Sequence, residues 1–402
     1  MKSCWLLEDL LAEKRSREAV AAAALEDLAE VGIKWNSPVL AASGWCVGWW
    51  LAAEDEARAV ASEWSPRMGS GSEETASDES HSVPRCLMRQ VLREIGRSVR
   101  RRDGGIVIYN DASLKVLGCV LMQQGWLSSL SSIVSLDLSY NRIPGLLPAL
   151  LRNLTTLRFL NLAYNQFNSA IPKWLYDMTS LQILDLKYNN FQGSISGAFA
   201  NLTSLTELQL SSNYFEGRIP RSLGNLCNLR ILGLSLNQLS GDISEFFGDH
   251  SSISCIKEML ESLNFGLNHL SGQLPNHLGE FKSLTILDIF SNSISGPIPV
   301  SIGKLSSLRR LDISSNLFNG SIPETLGSLS KLEGVFISNN SFEDIVSEVH
   351  FANLTRLKYF VADSNQLTLK ISHNWIPPFQ LREISMSSSD GGPQLFPAWL
   401  QT

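Results

Sequence analysis

Apolar and polar positions follow one repeating pattern over most of the chain. The unit is L-x-x-L-x-L-x-x-N, and it starts at Ile133, Leu157, Leu181, Leu205, Leu229, Leu260, Leu284, Leu308, Leu332 and Leu357. It closes, at a mostly constant spacing, with Asn141, Asn165, Asn189, Asn213, Asn237, Asn268, Asn292, Asn316, Asn340 and Asn365. The step from Asn237 to Asn268 is longer by seven positions, which marks an insertion, and an eleventh unit begins at Leu381 with Ser389 in the asparagine position. A register held this long predicts a solenoid of stacked repeats.

The centre of each unit predicts a short strand whose leucines point inward and whose intervening residues point outward. One unit cannot bury its leucines alone, so neighbouring units must stack and share a core. The closing asparagines are predicted to point inward and to bond the backbone of adjacent turns, because each amide carries two donors and an acceptor. Replacing one by leucine would leave buried backbone groups unpaired, at a cost of roughly 1–3 kcal/mol.

A second pattern, N-x-L/F-x-G-x-I/L-P, follows the asparagine. It stands at positions 213–220, 268–275, 292–299 and 316–323. Glycine permits a positive φ in this turn, and proline fixes φ as the chain enters the outer, convex segment. Positions 222–226, for example, are expected to form a short helical turn on that side.

The N-terminal part of the chain has a different character. Six of the ten tryptophans lie between Trp5 and Trp64, an acidic, serine-rich linker covers positions 69–82, and a basic cluster lies between Arg93 and Arg102. Such a cluster usually lies on a solvent-exposed surface, and the alternative is that it contacts nucleic acid. We therefore divide the chain into 1–125, an N-terminal region that is mostly poorly packed, and 126–402, a leucine-rich solenoid of about eleven repeats.

Composition narrows the classes of function. The 402 residues are 44% hydrophobic and 18% charged, and 33 basic against 39 acidic residues give a net charge of −6. A wholly disordered chain and a nucleic-acid binder that works through overall positive charge are both excluded. Six cysteines are too few for a disulfide scaffold of this length. The chain shows no nucleophile motif, phosphate loop or Cys/His metal spacing, so we predict no catalytic residue, no metal, no cofactor and no enzyme.

Targeting signals are weak in this sequence. Glu8 and Asp9 interrupt the apolar run after Leu7, so the N-terminus lacks the pattern of a secretory signal. The stretch from Trp35 to Ala53 carries no charge and nearly reaches the length that spans a bilayer. Its proline and polar residues lower its hydrophobicity, so a buried or unstructured segment is favoured and membrane insertion is the alternative.

The repeat resembles the plant-type extracellular leucine-rich repeat, and most closely the receptor-like proteins of plant immunity. Positions 224–232, which read GNLCNLRIL, and the insertion that carries Cys255 are similar to that subfamily. The resemblance implies a right-handed solenoid with a parallel β-sheet on its concave face. It also implies a location at the plasma membrane or outside the cell, a peptide or protein ligand, and signalling through a co-receptor kinase.

A shorter resemblance covers residues 105–124. Their sequence, GIVIYNDASLKVLGCVLMQQ, is similar to the first strand of a retrotransposon RNase H domain. In that family the aspartate that matches Asp111 belongs to a two-metal site, which needs several converging carboxylates. The chain continues directly into leucine repeats, so those other acids have no place and Asp111 is interpreted as catalytically silent. Together the two resemblances suggest a chimeric gene product.

The outward residues of the strands form the predicted ligand-binding surface, because exposed aromatic side chains beside charges are typical anchors for protein partners. The predicted site residues are Asp185, Lys187, Tyr188, Asp288, Phe290, Arg310, Asp312, Phe336, Tyr359 and Asp363. Asp137 and Phe159 are expected to face the same way. Aspartate recurs at one position of the repeat, so the alternative for the aspartates is a structural consensus rather than recognition.

Modification sites are also predicted. The N-x-[ST] motif occurs at Asn153, Asn201, Asn319, Asn339 and Asn353. Three of these are Asn-Leu-Thr and occupy one position on the convex side, where a glycan would meet solvent. The alternative is that this triplet is only the consensus of an exposed turn. Cys227 and Cys255 lie on successive convex turns, and a disulfide between them would brace the insertion if the chain is secreted.

The favoured function is a receptor-like recognition module of plant defence that binds a peptide or protein and acts with a co-receptor kinase. Three alternatives remain: a secreted inhibitor of a cell-wall hydrolase, similar to polygalacturonase inhibitors, a nonfunctional chimera, and, least favoured, a nuclease. The end units raise one further expectation. Without caps, Ile133 and Leu136 at one end and Leu381 and Ile384 at the other would lie bare, and an isolated 126–402 fragment would aggregate.

Overall fold

The computed structural model describes residues 99–102, 105–108, 133–248, 255–372 and 374–387. Among them, one long sheet holds a strand from every repeat, in chain order. Its strands are Val99–Arg102, Gly105–Ile108, Ile133–Asp137, Phe159–Asn161, Ile183–Asp185, Glu207–Gln209, Ile231–Gly233, Ser262–Asn264, Ile286–Asp288, Arg310–Asp312, Gly334–Phe336, Tyr359–Val361 and Glu383–Ser385. The eleven strands from Ile133 onward are parallel, which confirms the predicted repeat solenoid.

The strands pair in a register that stacks the leucines. Leu136 is opposite Leu160, and Leu160 is opposite Leu184, so equivalent residues of successive repeats lie side by side. All three are fully buried. Because every unit contributes its leucines to the same continuous core, that core grows with each repeat and belongs to no single one.

Short helices run along the opposite side of each repeat. The 3₁₀ helices are Ala149–Asn153, Lys173–Asp177, Gly197–Asn201, Arg221–Asn225, Asn276–Glu280, Val300–Lys304, Glu324–Ser328 and Glu348–Phe351. Two α-helical turns, Ser244–Phe247 and Ile256–Met259, flank the insertion. The helix Arg221–Asn225 lies where the sequence predicted a helical turn, directly after Pro220.

A second set of short parallel strands follows the asparagines. They form two four-stranded sheets and one pair: Gln192–Ser194, Tyr214–Gly217, Gln238–Asp242 and His269–Ser271; Ser295–Gly296, Leu317–Gly320, Ser341–Val346 and Gln366–Leu369; Pro144–Gly145 and Gln166–Phe167. The glycine of the second pattern lies at their ends with positive φ, for example 77° at Gly217. This confirms the predicted reason for glycine at that turn.

The closing asparagines form an inward column, which we call the asparagine column. At Asn213, Nδ2 donates to the carbonyl oxygens of Leu210 and, one turn earlier, Leu186, at 3.0 and 3.1 Å. Its Oδ1 accepts the backbone N–H of Phe191 at 3.0 Å. The same bonds recur at Asn237 in the next unit. The amides of Asn213 and Asn237 therefore each join adjacent turns of backbone in the interior, as the sequence predicted.

The N-terminal edge of the sheet differs from the prediction. Val99–Arg102 and Gly105–Ile108 form an antiparallel pair, and the second of these strands pairs in parallel with Ile133–Asp137. Ile133 and Leu136 are fully buried. The expectation of bare leucines was therefore wrong at this end, because strands from the predicted N-terminal region extend the sheet beyond the boundary at residue 125.

At the other end of the described solenoid, Leu381 and Ile384 are half-buried. Asp111 of the RNase H-like segment and Ser389 of the eleventh unit lie outside the described residues. The short helices of the described part include none with the length and apolar character needed to cross a membrane.

The insertion is held by a disulfide and by aromatic packing. Cys227 and Cys255 are joined in the structure. Phe246 and Phe247, on the helical turn before the insertion, are buried and make edge-to-face contacts with Phe265 and Phe281 of the next unit. The inserted residues are thereby flanked by anchored segments, and the sheet continues on their far side in the same register.

Candidate ligand-binding face

Each strand of the long sheet presents its outward residues on the concave face of the solenoid. Aspartate or asparagine often occupies the second outward position of the strand, which we call the outward slot. Its occupants are Asp137, Asn161, Asp185, Gln209, Gly233, Asn264, Asp288, Asp312, Phe336, Val361 and Ser385.

Aspartate in the outward slot has a structural role. The Oδ1 of Asp137 accepts the N–H of Ser139 at 2.9 Å, and the Oδ1 of Asp185 accepts that of Lys187 at 3.1 Å. Asn161 makes the same bond to the N–H of Ala163. A short side-chain oxygen therefore caps the end of the strand, whether or not it carries charge. This supports a structural consensus as the reason that aspartate recurs, so any further role of a carboxylate depends on the groups around it.

The predicted residues of the N-terminal half lie together. Lys187 Nζ is 2.9 Å from Oδ2 of Asp185, whose side chain is buried by this contact and its neighbours. Tyr188 follows directly and is 46% exposed. Phe159 is half-buried one strand away, opposite Ile183. This part of the face offers one satisfied ion pair and exposed aromatic surface.

Tyr188 is also the end of a stack that the repeat pattern did not lead us to predict. Tyr140, Tyr164 and Tyr188, the tyrosine ladder, have ring centroids 4.1 and 4.3 Å apart and nearly parallel planes. All three have a positive φ, between 54° and 60°. The hydrogen bond that Tyr164 shares with Tyr140, together with desolvation, raises the pKa of Tyr164 to about 12. The signal was present in the sequence, because a tyrosine precedes the asparagine in the first three units.

The C-terminal half holds a second group, the acidic-aromatic patch, formed by Asp288, Phe290, Arg310, Asp312 and Phe336. An Nη atom of Arg310 is 2.8 Å from Oδ2 of Asp312, and the guanidinium carbon lies 4.2 Å from the centre of the Phe336 ring. Asp288 is opposite Asp312 in the sheet register. A cation held by a carboxylate and an aromatic face is a favourable arrangement.

Electrostatics distinguish the two carboxylates of this patch. Burial and the charge of Asp312 raise the pKa of Asp288 to about 6, while the N–H of Phe290 and the charge of Arg310 act in the opposite direction. Asp312 is buried and accepts bonds from Arg310 and from the hydroxyl of Ser314, the latter at 2.6 Å. Of the two carboxylates, Asp288 is therefore the one whose ionisation costs free energy in the folded chain.

The last two predicted residues border the patch. The ring of Tyr359 stacks at 6.2 Å on that of Phe336. Asp363 accepts hydrogen bonds from the hydroxyls of Ser385 and Ser387 at 2.6 and 2.8 Å. Burial raises the pKa of Asp363, but these bonds outweigh it and lower the pKa overall. Tyr359 thus extends the aromatic surface, whereas the carboxylate of Asp363 is engaged within the protein.

The structure thus divides the predicted residues into two groups on one face. Units with small or uncharged outward residues separate them, for example Gly233 and Asn264 in the outward slot. The sequon asparagines Asn153, Asn201, Asn319, Asn339 and Asn353 are all exposed. In the described part of the chain, no three His, Cys, Asp or Glu side chains are grouped so as to hold a metal ion.

Comparisons with known proteins agree with this architecture. A leucine-rich repeat family model matches residues 120–167, 165–215 and 179–239, and a second one matches 283–305 and 307–329. Receptor-like protein EIX1 of Solanum lycopersicum is 48% identical over 56 residues, and receptor-like protein EIX2 of the same plant is 44% identical over 57. The matched parts of the chain are leucine-rich repeats, and the shared segments are similar to plant receptor-like proteins. The matches give no support to the RNase H resemblance of residues 105–124.

Several solved structures of similar proteins are ectodomains of plant receptors. The Arabidopsis receptor kinase HAESA, in complex with the peptide hormone IDA and the co-receptor SERK1, is 32% identical with a TM-score of 0.59. The GASSHO1/SCHENGEN3 ectodomain from Arabidopsis thaliana, in complex with CASPARIAN STRIP INTEGRITY FACTOR 2, is 32% identical with a TM-score of 0.58.

These matches cover parts of longer proteins. The alignments with the two ectodomains span 66% of this chain but only 44% and 32% of the receptor chains. The segments shared with the tomato proteins are 14% of this chain and 5% and 6% of those proteins.

Proposed function

We propose that this chain is the recognition module of a receptor-like protein and binds a peptide on its concave face. The acidic-aromatic patch carries the proposal, because it combines half-buried aromatic rings with charged groups on an open sheet face. Such anchors supply most of the binding energy in protein interfaces. The similar ectodomains HAESA and GASSHO1/SCHENGEN3 were solved with a peptide hormone or an integrity factor bound, which supports this class of ligand.

Partners and location follow from the same relatives. Since HAESA was solved with the co-receptor SERK1, we propose that this module also acts with a co-receptor kinase. Defence signalling is proposed from the resemblance of the repeats to the receptor-like proteins of plant immunity. A place outside the cell or at the plasma membrane fits the exposed sequons and the Cys227–Cys255 disulfide, since disulfides persist in oxidising compartments.

Peptide panning tests the binding proposal directly. The full chain would be immobilised and panned against a phage-displayed library of random dodecapeptides. We expect recovered peptides to bind the chain and to lose about tenfold or more in affinity on Phe336→Ala, because this change removes the central ring of the patch. Val300→Ala is the matched control, since Val300 is 65% exposed on a 3₁₀ helix of the opposite side. Recovery of no peptide, or equal effects of both changes, would contradict the proposal.

The proposed glycosylation has its own test. The chain would be expressed in plant cells behind a secretion leader and treated with a glycosidase that removes N-linked sugars. We expect a mass decrease that disappears when all five sequon asparagines, Asn153, Asn201, Asn319, Asn339 and Asn353, are changed to Gln, because these sequons are exposed. A secreted chain without any sugar would contradict the glycoprotein assignment.

A further inference from the structure

We propose that Asp288 anchors a basic side chain, lysine or arginine, of the bound peptide. The inference rests on the proposed peptide-binding function and gives that ligand a chemical class. It concerns one position of the acidic-aromatic patch. There the protein supplies a carboxylate and an aromatic ring, and the peptide would supply the cation.

Asp288 differs from Asp185 and Asp312 in its partners. Asp185 is paired with Lys187 at 2.9 Å, and Asp312 is paired with Arg310 at 2.8 Å. In the described residues, no cation lies within ion-pair distance of Asp288. Its carboxylate accepts a long hydrogen bond of 3.4 Å from the N–H of Phe290. The negative charge of Asp288 therefore lacks a counter-charge in direct contact.

The neighbouring unit shows how this surface holds a cation. Arg310 lies between the carboxylate of Asp312 and the ring of Phe336, with its guanidinium carbon 4.2 Å from the ring centre. Asp288 occupies the same slot one strand earlier, and Phe290 follows it on the same face. A carboxylate and an aromatic ring are thus also present at Asp288. Among the described residues, no basic side chain forms an ion pair with this carboxylate.

The segment that follows the adjacent strand on the other side brings the ring of Phe290 close to Asp288. A Cβ atom added to Gly266 would collide with the ring of Phe290 and would lie 3.1 Å from Oδ1 of Asp288. Glycine at this position therefore lets the ring and the carboxylate lie over the same point of the backbone. The outward slot of that strand holds Asn264, so Asn264 and Gly266 bring no charge to this side of Asp288.

The charges around Asp288 favour a basic group from outside. Asp312 faces it from the next strand and repels its ionised form, and Arg310, which is engaged by Asp312, compensates only in part. Burial adds to the cost and raises the pKa of Asp288. A ligand cation beside Asp288 would relieve both effects, so binding and ionisation of this carboxyl reinforce each other.

The composition of panned peptides tests the inference. The dodecapeptide library would be panned at pH 7 on the full chain, on Asp288→Asn and on Asp177→Asn. Asn at position 288 keeps the acceptor for the Phe290 N–H, and Asn264 already makes the equivalent bond in its own unit. Asp177 is exposed on a 3₁₀ helix of the opposite side, so its change removes an equal charge away from the face.

We expect peptides from the wild-type chain to be enriched about threefold or more in lysine and arginine over the starting library. The enrichment should vanish on Asp288→Asn and persist on Asp177→Asn. Peptides that bind without a basic bias, or a bias that survives Asp288→Asn, would overturn the role of Asp288 and leave peptide binding intact. Failure to recover any peptide on the wild-type chain would overturn the proposed function, and this inference with it.

A pH series gives a second readout. For a recovered basic peptide, we expect affinity for the wild-type chain to fall several-fold from pH 7 to pH 5, since protonation of Asp288 removes the charge that holds the ligand. The same peptide with citrulline or norleucine in place of its arginine or lysine should lose most of that pH dependence. Equal pH profiles for the two peptides would overturn the inference.

Discussion

The asparagine column and the outward slot lie only a few residues apart in every unit, yet they behave differently. The column holds asparagine in all ten units from Asn141 to Asn365, and each amide bonds backbone groups of its own turn or an adjacent turn. The outward slot holds Asp, Asn, Gln, Gly, Phe, Val and Ser. The interior asparagine bonds the backbone in every repeat, whereas the residue in the outward slot varies from repeat to repeat.

This difference separates what holds the solenoid from what can recognise a ligand. The column satisfies buried backbone groups that water cannot reach, so its removal should be felt as lost stability. The outward slot needs only a short acceptor to cap the strand, and the neutral Asn161 and Asn264 make this bond without a charge. A charge that the fold does not need, such as that of Asp288, is then a candidate for function.

The largest expected effect is in the column. Asn213→Leu should lower the free energy of unfolding by about 3 kcal/mol, because the N–H of Phe191 and the carbonyl of Leu186 lose their amide partner in the interior. Chemical denaturation of the full chain measures this loss. Asn168→Leu is the control, since Asn168 is exposed and lies outside the column. Equal losses for both variants would remove the distinction between the column and the surface.

The second prediction concerns the outward slot and has the opposite sign. Asp288→Asn should raise the free energy of unfolding at pH 7 by about 1–2 kcal/mol, since it removes a partly buried charge and keeps the bond to Phe290. Asp312→Asn is the contrasting variant: it removes the partner of Arg310 and should bring no such gain. Denaturation at pH 7 shows whether the charge of Asp288 destabilises the fold, as we expect for a charge kept for function, or stabilises it.

The sign of the pH dependence follows from the raised pKa of Asp288. The folded chain holds this proton more tightly than the unfolded chain, whose pKa is near 3.8 against about 6 in the fold. The stability from Asp288 is thus fully present below about pH 4 and is lost as the pH rises through about 6. The gain from Asp288→Asn should therefore shrink towards zero at pH 4. A gain that does not change with pH would contradict this explanation.

A third, smaller effect is expected in the tyrosine ladder. Tyr164→Ser should lower the free energy of unfolding by about 1 kcal/mol, because Tyr164 stacks on both Tyr140 and Tyr188. Serine is compatible with the backbone there, since Ser212 has nearly the same positive φ in a later unit. Tyr214→Ser, which removes an exposed tyrosine outside the ladder, is the control. A loss of similar size in both variants would show that the stacking contributes nothing.

The smallest effect is expected at Asp185. Asp185→Asn should change the free energy of unfolding by about 0.5 kcal/mol or less, because Asn keeps the bond to the N–H of Lys187 and only a partly exposed ion pair is lost. Thermal denaturation at low and high salt would measure it. A loss several times larger than a surface ion pair supplies would mean that charge in the outward slot does hold the fold, and the comparison with the column would fail.

The structure of the interior was predictable because the residue patterns that determine it are local and recur in each repeat. Leucine spacing set the strands, the asparagine set the column, and glycine set the positive φ of the turn at Gly217. The outward pairings were less accessible, because contact between Arg310 and Phe336 depends on rotamers that join two units. The sequence predicted which residues face outward and could not distinguish the paired Asp312 from the unpaired Asp288.

Two further features needed the structure. The tyrosine ladder depends on a left-handed backbone at Tyr140, Tyr164 and Tyr188, which propensity does not predict for tyrosine. The strand Gly105–Ile108 was identified by a short resemblance to another fold, but it adds to the edge of the repeat sheet. A short apolar run pairs with whatever edge is open, so its partner could not be derived from its sequence.

Photo-cross-linking with a panned peptide tests most directly whether the concave face binds the ligand. A recovered peptide carrying a photoreactive phenylalanine analogue would be cross-linked to the full chain, and the modified residues would be mapped by mass spectrometry. We predict cross-links on residues 288–290 and on the strands Arg310–Asp312 and Gly334–Phe336. Cross-links concentrated on the opposite side, for example on the helices Val300–Lys304 and Glu324–Ser328, would contradict the account.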